Sequence, residues 1–239
     1  MFKELLNLIY PRRCPLCHGI VTPKEKAIHE NCLLKLSKIG SPKCYRCGKP
    51  VEMEEIEYCH DCSKKNFHYV RGFPLWIYNK ELKQFIIQFK FKGKKEYNDF
   101  YVAEYLKEYK EQIQKLKADA FIPIPLHGAK LRKRGFNQAE IFADGIAREI
   151  QIPVIKDVLV RTKKTLPQKE LDDKERILNL QRAFILSENQ KVKLMGLSKV
   201  ILVDDIYTTG STIEACTRVL LEAGVKEVYY ITLCIGRGY

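Results

Sequence analysis

At 239 residues, 46% hydrophobic and 30% charged, the chain has room for one ordinary domain plus a small module and is too apolar to be disordered. Its 42 basic and 29 acidic residues leave a formal charge of +13, an excess that favours polyanionic partners: nucleic acid, phosphorylated metabolites or an acidic membrane surface. No run reaches the roughly 20 apolar residues of a membrane span, and Met1 to Tyr10 carries Lys3 and Glu4 with no cleavage site after it, so a cytoplasmic protein is expected.

Seven of the nine cysteines lie before Ser63, and in a reducing compartment they argue for metal rather than disulfides. Cys14-x2-Cys17 is followed after eleven residues by His29-x2-Cys32, and Cys44-x2-Cys47 after eleven residues by Cys59-x2-Cys62. Each candidate ligand in the first half recurs 30 positions later, with His29 standing where the repeat has a cysteine. A Cys-x2-Cys turn brings two sulfurs to one metal, and a second such pair closes a tetrahedral site. Two structural zinc sites are expected: Cys14, Cys17, His29 and Cys32 at one, Cys44, Cys47, Cys59 and Cys62 at the other. A cross-brace pairing fits the same spacings, and His29 is alternatively a surface histidine. His18, His60 and His68 have no repeat partner and read as surface residues. The zinc module is placed at residues 1–69, because a segment that small with few large apolar side chains needs metal to fold.

A connecting segment, 70–117, is expected to pack on the C-terminal domain. Val70 to Tyr78 has strand-like content around Trp76. Leu82, Phe85, Ile86 and Phe89 fall at helical spacing, with Gly93 as a C-terminal stop. A second amphipathic helix runs from about Tyr97 to Lys117, with Tyr101, Tyr105, Ile113 and Leu116 along it. Residues 118–239 then alternate. Strands are expected at Ala120–Pro125, Val158–Arg161, Ala183–Leu186, Val200–Asp204 and Glu227–Leu233, and helices at Gln138–Ile150 and Thr212–Ala223. That alternation predicts an α/β domain with a mostly parallel twisted sheet flanked by helices.

The segment from Val200 to Thr212 has a chemical reading of its own. A buried strand ends in Asp204 and Asp205; Thr208, Thr209, Gly210, Ser211 and Thr212 follow, and a helix begins. The helix N-terminus offers unpaired N–H groups to a phosphate, and Gly210 admits close approach. The two carboxylates suit ribose hydroxyls at the carboxyl ends of the strands, where open α/β sheets bind ligands. The bland alternative is a strand followed by a helix capped by Ser211.

The run Asp204-Asp-Ile-Tyr-Thr-Thr-Gly-Ser-Thr212 resembles the signature by which type I phosphoribosyltransferases bind phosphoribosyl pyrophosphate (PRPP). Pro123-Ile-Pro-Leu-His127, Arg134-Gly-Phe-Asn-Gln-Ala-Glu140 and Pro167-Gln168 leading through Leu171 to Arg176 and Asn179-Leu180 narrow it further. With the cysteine module in front, nearly the whole chain resembles the ComF family of late competence proteins, of the ComFC type. The resemblance implies that Asp204 and Asp205 hold the ribose hydroxyls of PRPP and that Thr208 to Thr212 hold its 5′-phosphate. Arg132, Lys133, Arg134 and Gly135 would stand at the pyrophosphate loop, Gln168 and Arg176 at the mobile loop over the site, and Mg2+ would accompany the pyrophosphate. No segment resembles a hood for a purine or pyrimidine.

Basic residues gather at Lys90, Lys92, Lys94 and Lys95, again at Lys130 to Arg134, and again at Arg161, Lys163, Lys164 and Lys169, with Phe89, Phe91, Tyr97 and Phe136 among or near them. Cations interleaved with rings suit single-stranded nucleic acid, although the helical spacing of Phe85 and Phe89 fits a core better. The expected function is the handling of incoming single-stranded DNA during natural transformation, with PRPP at the phosphoribosyl pocket and a competence helicase or recombination mediator as protein partner. An active phosphoribosyltransferase, with a nucleobase or amine as acceptor, is the alternative; a pure PRPP sensor is a third.

Overall fold

The computed structural model describes residues 11–23, 26–91, 95–162 and 183–236. The zinc module repeats itself in space as it does in sequence. Arg13 bridges Ile20 and Lys43 bridges Pro50, each closing a hairpin in which the backbone N–H of Cys14 or Cys44 donates to the carbonyl of Gly19 or Lys49. His29 and Cys59 then each cap a single helical turn, α1 (Glu30–Leu33) and α2 (His60–Lys64).

Beyond it, β1 (Gly72–Ile77) leads into α3 (Lys80–Phe91), whose entry is capped by the Asn79 side chain accepting from Leu82 N–H at 2.8 Å. Leu82, Phe85, Ile86 and Phe89, the stripe read from the sequence, are all buried. A 3-10 turn at Lys95–Tyr97 opens α4 (Asn98–Leu116), where Tyr101, Tyr105, Tyr109 and Ile113 recur every fourth residue on the buried face. Lys117, with φ of +51°, ends it. Next come β2 (Ala120–Pro123), the short basic helix α5 (Gly128–Arg134), and α6 (Gln138–Ile150). Asn137 caps α6 and also donates to the carbonyl of Ile124 at 3.0 Å, tying the helix to the end of β2.

The main sheet is parallel, in the order β1-β6-β5-β2, with β5 at Lys199–Tyr207 and β6 at Glu227–Ile235. β1 is thus an edge strand of the same sheet. Both β5 and β6 run past the ends expected from sequence, because their ladder continues through Asp204↔Thr232 to Tyr207↔Ile235. The two short strands expected near 160 and 185 are present as β3 (Leu159–Arg161) and β4 (Phe184–Leu186), but they pair with each other in an antiparallel ribbon and stay out of the parallel sheet. Helix α7 (Ser211–Glu222) packs on β5, β6 and β4.

Alternation along the central strands divides the interior in two. Ile201, Val203, Ile231 and Leu233 face α3, α4 and α6, together with Cys14 and Cys32 of the first ligand set. Val200, Leu202, Val228 and Tyr230 face α7 and the β3–β4 ribbon, together with Cys44, Cys47 and Cys62 of the second. The zinc module therefore packs one of its halves on each face.

Candidate phosphate site and metal centres

Both expected ligand sets converge. Cys14, Cys17, His29 and Cys32 form one cluster and Cys44, Cys47, Cys59 and Cys62 the other, with the ligand atoms of each all within 4.8 Å of one another. The pairing is sequential. His29 is in the set through Nδ1, 3.2 Å from the Cys17 sulfur, while Nε2 faces the carbonyl of Ile20 at 2.9 Å. That second bond sets the tautomer: Nε2–H donates to the carbonyl and Nδ1 keeps its lone pair for a metal. Soft thiolates in tetrahedral sets suit Zn2+, and four ligands leave no position open for chemistry. Beside the second set, the buried Lys49 ammonium sits 2.5 Å from Asp61, a local positive charge next to four thiolates.

At the other centre, Asp204 and Asp205 lie at the carboxyl end of β5, next to β6. Asp204 Oδ1 accepts from the N–H of Asp205 at 2.8 Å. Gly210 is the N-cap of α7, with φ of +82°, and a Cβ there would lie 2.4 Å from the Tyr207 hydroxyl. Only glycine fits that backbone and that space. Thr208 and Thr209 are exposed, and the hydroxyls of Thr209 and Ser211 meet at 3.0 Å. Thr212 opens the helix beside Ser211, so the expected hydroxyl set is gathered at one helix N-terminus.

Two cations, Lys90 and Arg161, act on the carboxylates. Lys90, from the last turn of α3, makes an ion pair with Asp205. Burial pulls the Lys90 ammonium down to about 8, offset by the charge of Asp204 and reinforced by Arg134 and Lys130. Burial likewise pushes Asp204 up to about 6, opposed by Lys90 and Arg161. Lys90 thus stands apart from the rest of its basic row. Lys95 opens the 3-10 turn, while Lys92 and Lys94 lie outside the described residues, as do Gln168 and Arg176. Arg132, Lys133 and Arg134 occupy the last turn of α5, which buries none of its side chains, and Gly135 is its C-cap. Where the sequence suggested a loop there is a helix, started by His127 Nδ1 accepting from Ala129 N–H at 3.2 Å.

The site also draws on residues that one-dimensional reading passed over. His68, read as a surface residue, meets Glu214 of α7 at 2.5 Å. Away from that site, next to Cys17 of the first ligand cluster, His18 meets the Tyr97 hydroxyl at 3.2 Å. Lys90 carried a signal as a cation, but nothing local in the sequence says that it faces a carboxylate.

The family described as the phosphoribosyl transferase domain matches residues 97–238, more than half of the chain. This chain belongs to that family. Ahead of its phosphoribosyl transferase domain, the double zinc ribbon domain family matches residues 5–63, which spans both ligand clusters and makes them structural zinc sites. Relatives match over most of the chain. Competence protein F of Haemophilus influenzae is 28% identical over 90% of this chain and 93% of its own. Competence protein ComFC of Bacillus subtilis is 28% identical over 86% of this chain and 82% of its own. A DNA utilization protein of Escherichia coli K12, YhgH, is 27% identical over 95% and 98%. The resemblance of the chain to the ComF family is borne out by these relatives. No described helix is long and apolar enough to cross a membrane.

Proposed function

We propose that this protein handles single-stranded DNA in DNA uptake or utilisation and that its phosphoribosyl transferase domain binds PRPP. The observation that carries the reading is the Lys90–Asp205 ion pair, with Arg161 acting on Asp204 and Arg134 and Lys130 acting on Lys90, beside the glycine-capped start of α7. Carboxylates for hydroxyls, N–H groups for one phosphate and cations for another make a pocket whose complement is a phosphorylated sugar. In this reading Asp204 and Asp205 accept from the ribose hydroxyls, Thr208 to Thr212 take the 5′-phosphate, and α5 with Lys90 faces the pyrophosphate, which arrives with its own Mg2+. Gln168 and Arg176 are assigned to the cover over the site, and a helicase or recombination mediator to the protein partner. The name of the Escherichia coli relative, a DNA utilization protein, supports the link to DNA, and the excess positive charge, with the exposed basic residues of α5, supports a polyanionic strand as the partner.

The test is fluorescence anisotropy of a labelled single-stranded oligonucleotide titrated with zinc-loaded protein across a salt series, alongside calorimetric titration of PRPP. Expected are DNA binding that weakens steeply with salt, and PRPP binding that the double variant Asp204→Asn, Asp205→Asn loses while keeping its folded near-ultraviolet spectrum. Unchanged PRPP affinity in that folded variant would refute the site. A phosphoribosyltransferase acting on a nucleobase or amine is the second reading, favoured by cations placed where pyrophosphate charge develops as it leaves. Pyrophosphate release with a panel of acceptors, in the absence of any DNA affinity at low salt, is the result that selects it.

A further inference from the structure

Past its two carboxylates, β5 ends at Tyr207, where the chain turns into the hydroxyl loop. The Tyr207 ring is buried and stacks on Tyr230 of β6, with centroids 5.0 Å apart and planes 7° from parallel. The Tyr230 hydroxyl donates to the carbonyl of Cys47, a member of the second ligand cluster, at 2.9 Å. Tyr230 has room for this only because Gly72 lies beside it: a Cβ on Gly72 would fall 2.0 Å from the ring. The Tyr207 hydroxyl in turn meets the hydroxyl of Tyr69 at 2.8 Å.

Tyr69 is the third of three consecutive residues that leave the second zinc turn and touch the loop at different points. Phe67 crowds Gly210, where a Cβ would stand 2.9 Å from its ring. His68 reaches the Glu214 carboxylate twice, with its backbone N–H at 2.8 Å and with Nδ1 at 2.5 Å, in the first turn of α7. Arg218 holds the same carboxylate at 2.7 Å. Tyr69 grips Tyr207. A helix needs only a cap to begin, and Gly210 already supplies one. A phosphate needs several N–H groups held in one fixed direction before it arrives, and that demands a second layer of locked side chains.

We propose that Phe67, His68 and Tyr69 are positioning residues for the phosphate loop, through which the second zinc ribbon sets the loop's geometry, the Tyr69–Tyr207 hydroxyl pair foremost. The inference rests on reading Thr208 to Thr212 as a phosphate loop. It makes affinity for phosphorylated ligands depend on a metal module that contributes no residue to the loop.

The experiment is calorimetric titration of PRPP into the full-length, zinc-loaded wild type and the variants Tyr69→Phe, His68→Ala and Tyr105→Phe, with thermal melting of each. Tyr69→Phe keeps the ring and deletes one hydroxyl. Tyr105→Phe is its control, deleting an equally buried hydroxyl that donates to the Phe73 carbonyl at 3.0 Å on the opposite face of the sheet. Both tyrosine variants are expected to melt lower, while only Tyr69→Phe binds PRPP more weakly, by roughly tenfold for one lost positioning bond. Wild-type affinity in Tyr69→Phe overturns the inference, and His68→Ala decides in its place should Tyr69→Phe not fold. Absence of PRPP binding in the wild type overturns the phosphate-loop reading itself, and the inference with it.

Discussion

Burial moves Lys90 and Asp204 from their ordinary ionisation behaviour, and the opposite charge of each counters the shift of the other. Asp204 at about 6 sits above the usual carboxylate value near 4, and Lys90 at about 8 sits below the usual ammonium value near 10.4. The groups acting on them are Asp205, Arg161, Arg134, Lys130 and the Cys234 thiol. Ribose hydroxyls need an ionised acceptor and pyrophosphate needs a charged lysine. PRPP affinity is therefore expected to peak between about pH 6 and about pH 8, falling on the acid side as Asp204 takes a proton and on the alkaline side as Lys90 loses one. Calorimetry across that range checks it, and Lys90→Met is expected to lower affinity and flatten the alkaline limb. For stability the sign runs differently. The folded pKa of Asp204 is raised, so its protonated form favours folding, and that contribution is lost as pH rises from about 4 through about 6. Asp204→Asn is accordingly expected to melt no lower than wild type at neutral pH.

At the scale of single elements, the turn between β5 and α7 is specified by one backbone conformation. Gly210 at φ of +82° is crowded by the Tyr207 hydroxyl and the Phe67 ring together. Gly210→Ala forces both a left-handed alanine and a displaced ring, at an expected cost of about 1–3 kcal/mol by urea unfolding, and with it a loss of PRPP affinity. Helix α5 is governed differently: it buries no side chain, and Arg132 and Lys133 are presented to solvent. Replacing Arg132 and Lys133 by alanine is expected to leave the melting temperature within about four degrees, since exposed substitutions usually stay within about 0.5 kcal/mol each. The salt dependence of DNA binding should become shallower by up to roughly two released counterions. An unchanged slope would remove α5 from the DNA-binding surface.

For the molecule as a whole, the two ligand sets occupy opposite faces of one sheet, and each belongs to a different apolar core. Loss of one metal should therefore be felt on one face. Cys44→Ser with Cys47→Ser is expected to reduce bound zinc from two equivalents to one by metal analysis, as the sequential grouping of the ligands requires. A cross-brace arrangement would also lose one, but would free Cys14 and Cys17 to thiol reagents in place of Cys59 and Cys62. The same variant should expose the α7 face selectively, seen as faster hydrogen exchange in β4 and α7 than in α4 and α6.

Much of this was legible in one dimension because it depends on spacing within a turn or along a strand. A Cys-x2-Cys pair declares its own geometry, Phe85 and Phe89 one turn apart declare a helix face, and an apolar strand running into two aspartates, hydroxyls and a glycine declares the strand-to-helix turn that gathers them. None of these needs a distant partner to be recognised. The tertiary structure alone decided what depends on distant segments meeting. It made the zinc pairing sequential, set β3 against β4 outside the parallel sheet, and brought Lys90 to Asp205 and His68 to Glu214. It also joined Tyr69 to Tyr207 across 138 positions. Side-chain type and local period say which face is buried; which cation meets which carboxylate depends on the order in which strands enter the sheet, and that order leaves no periodic mark in the chain.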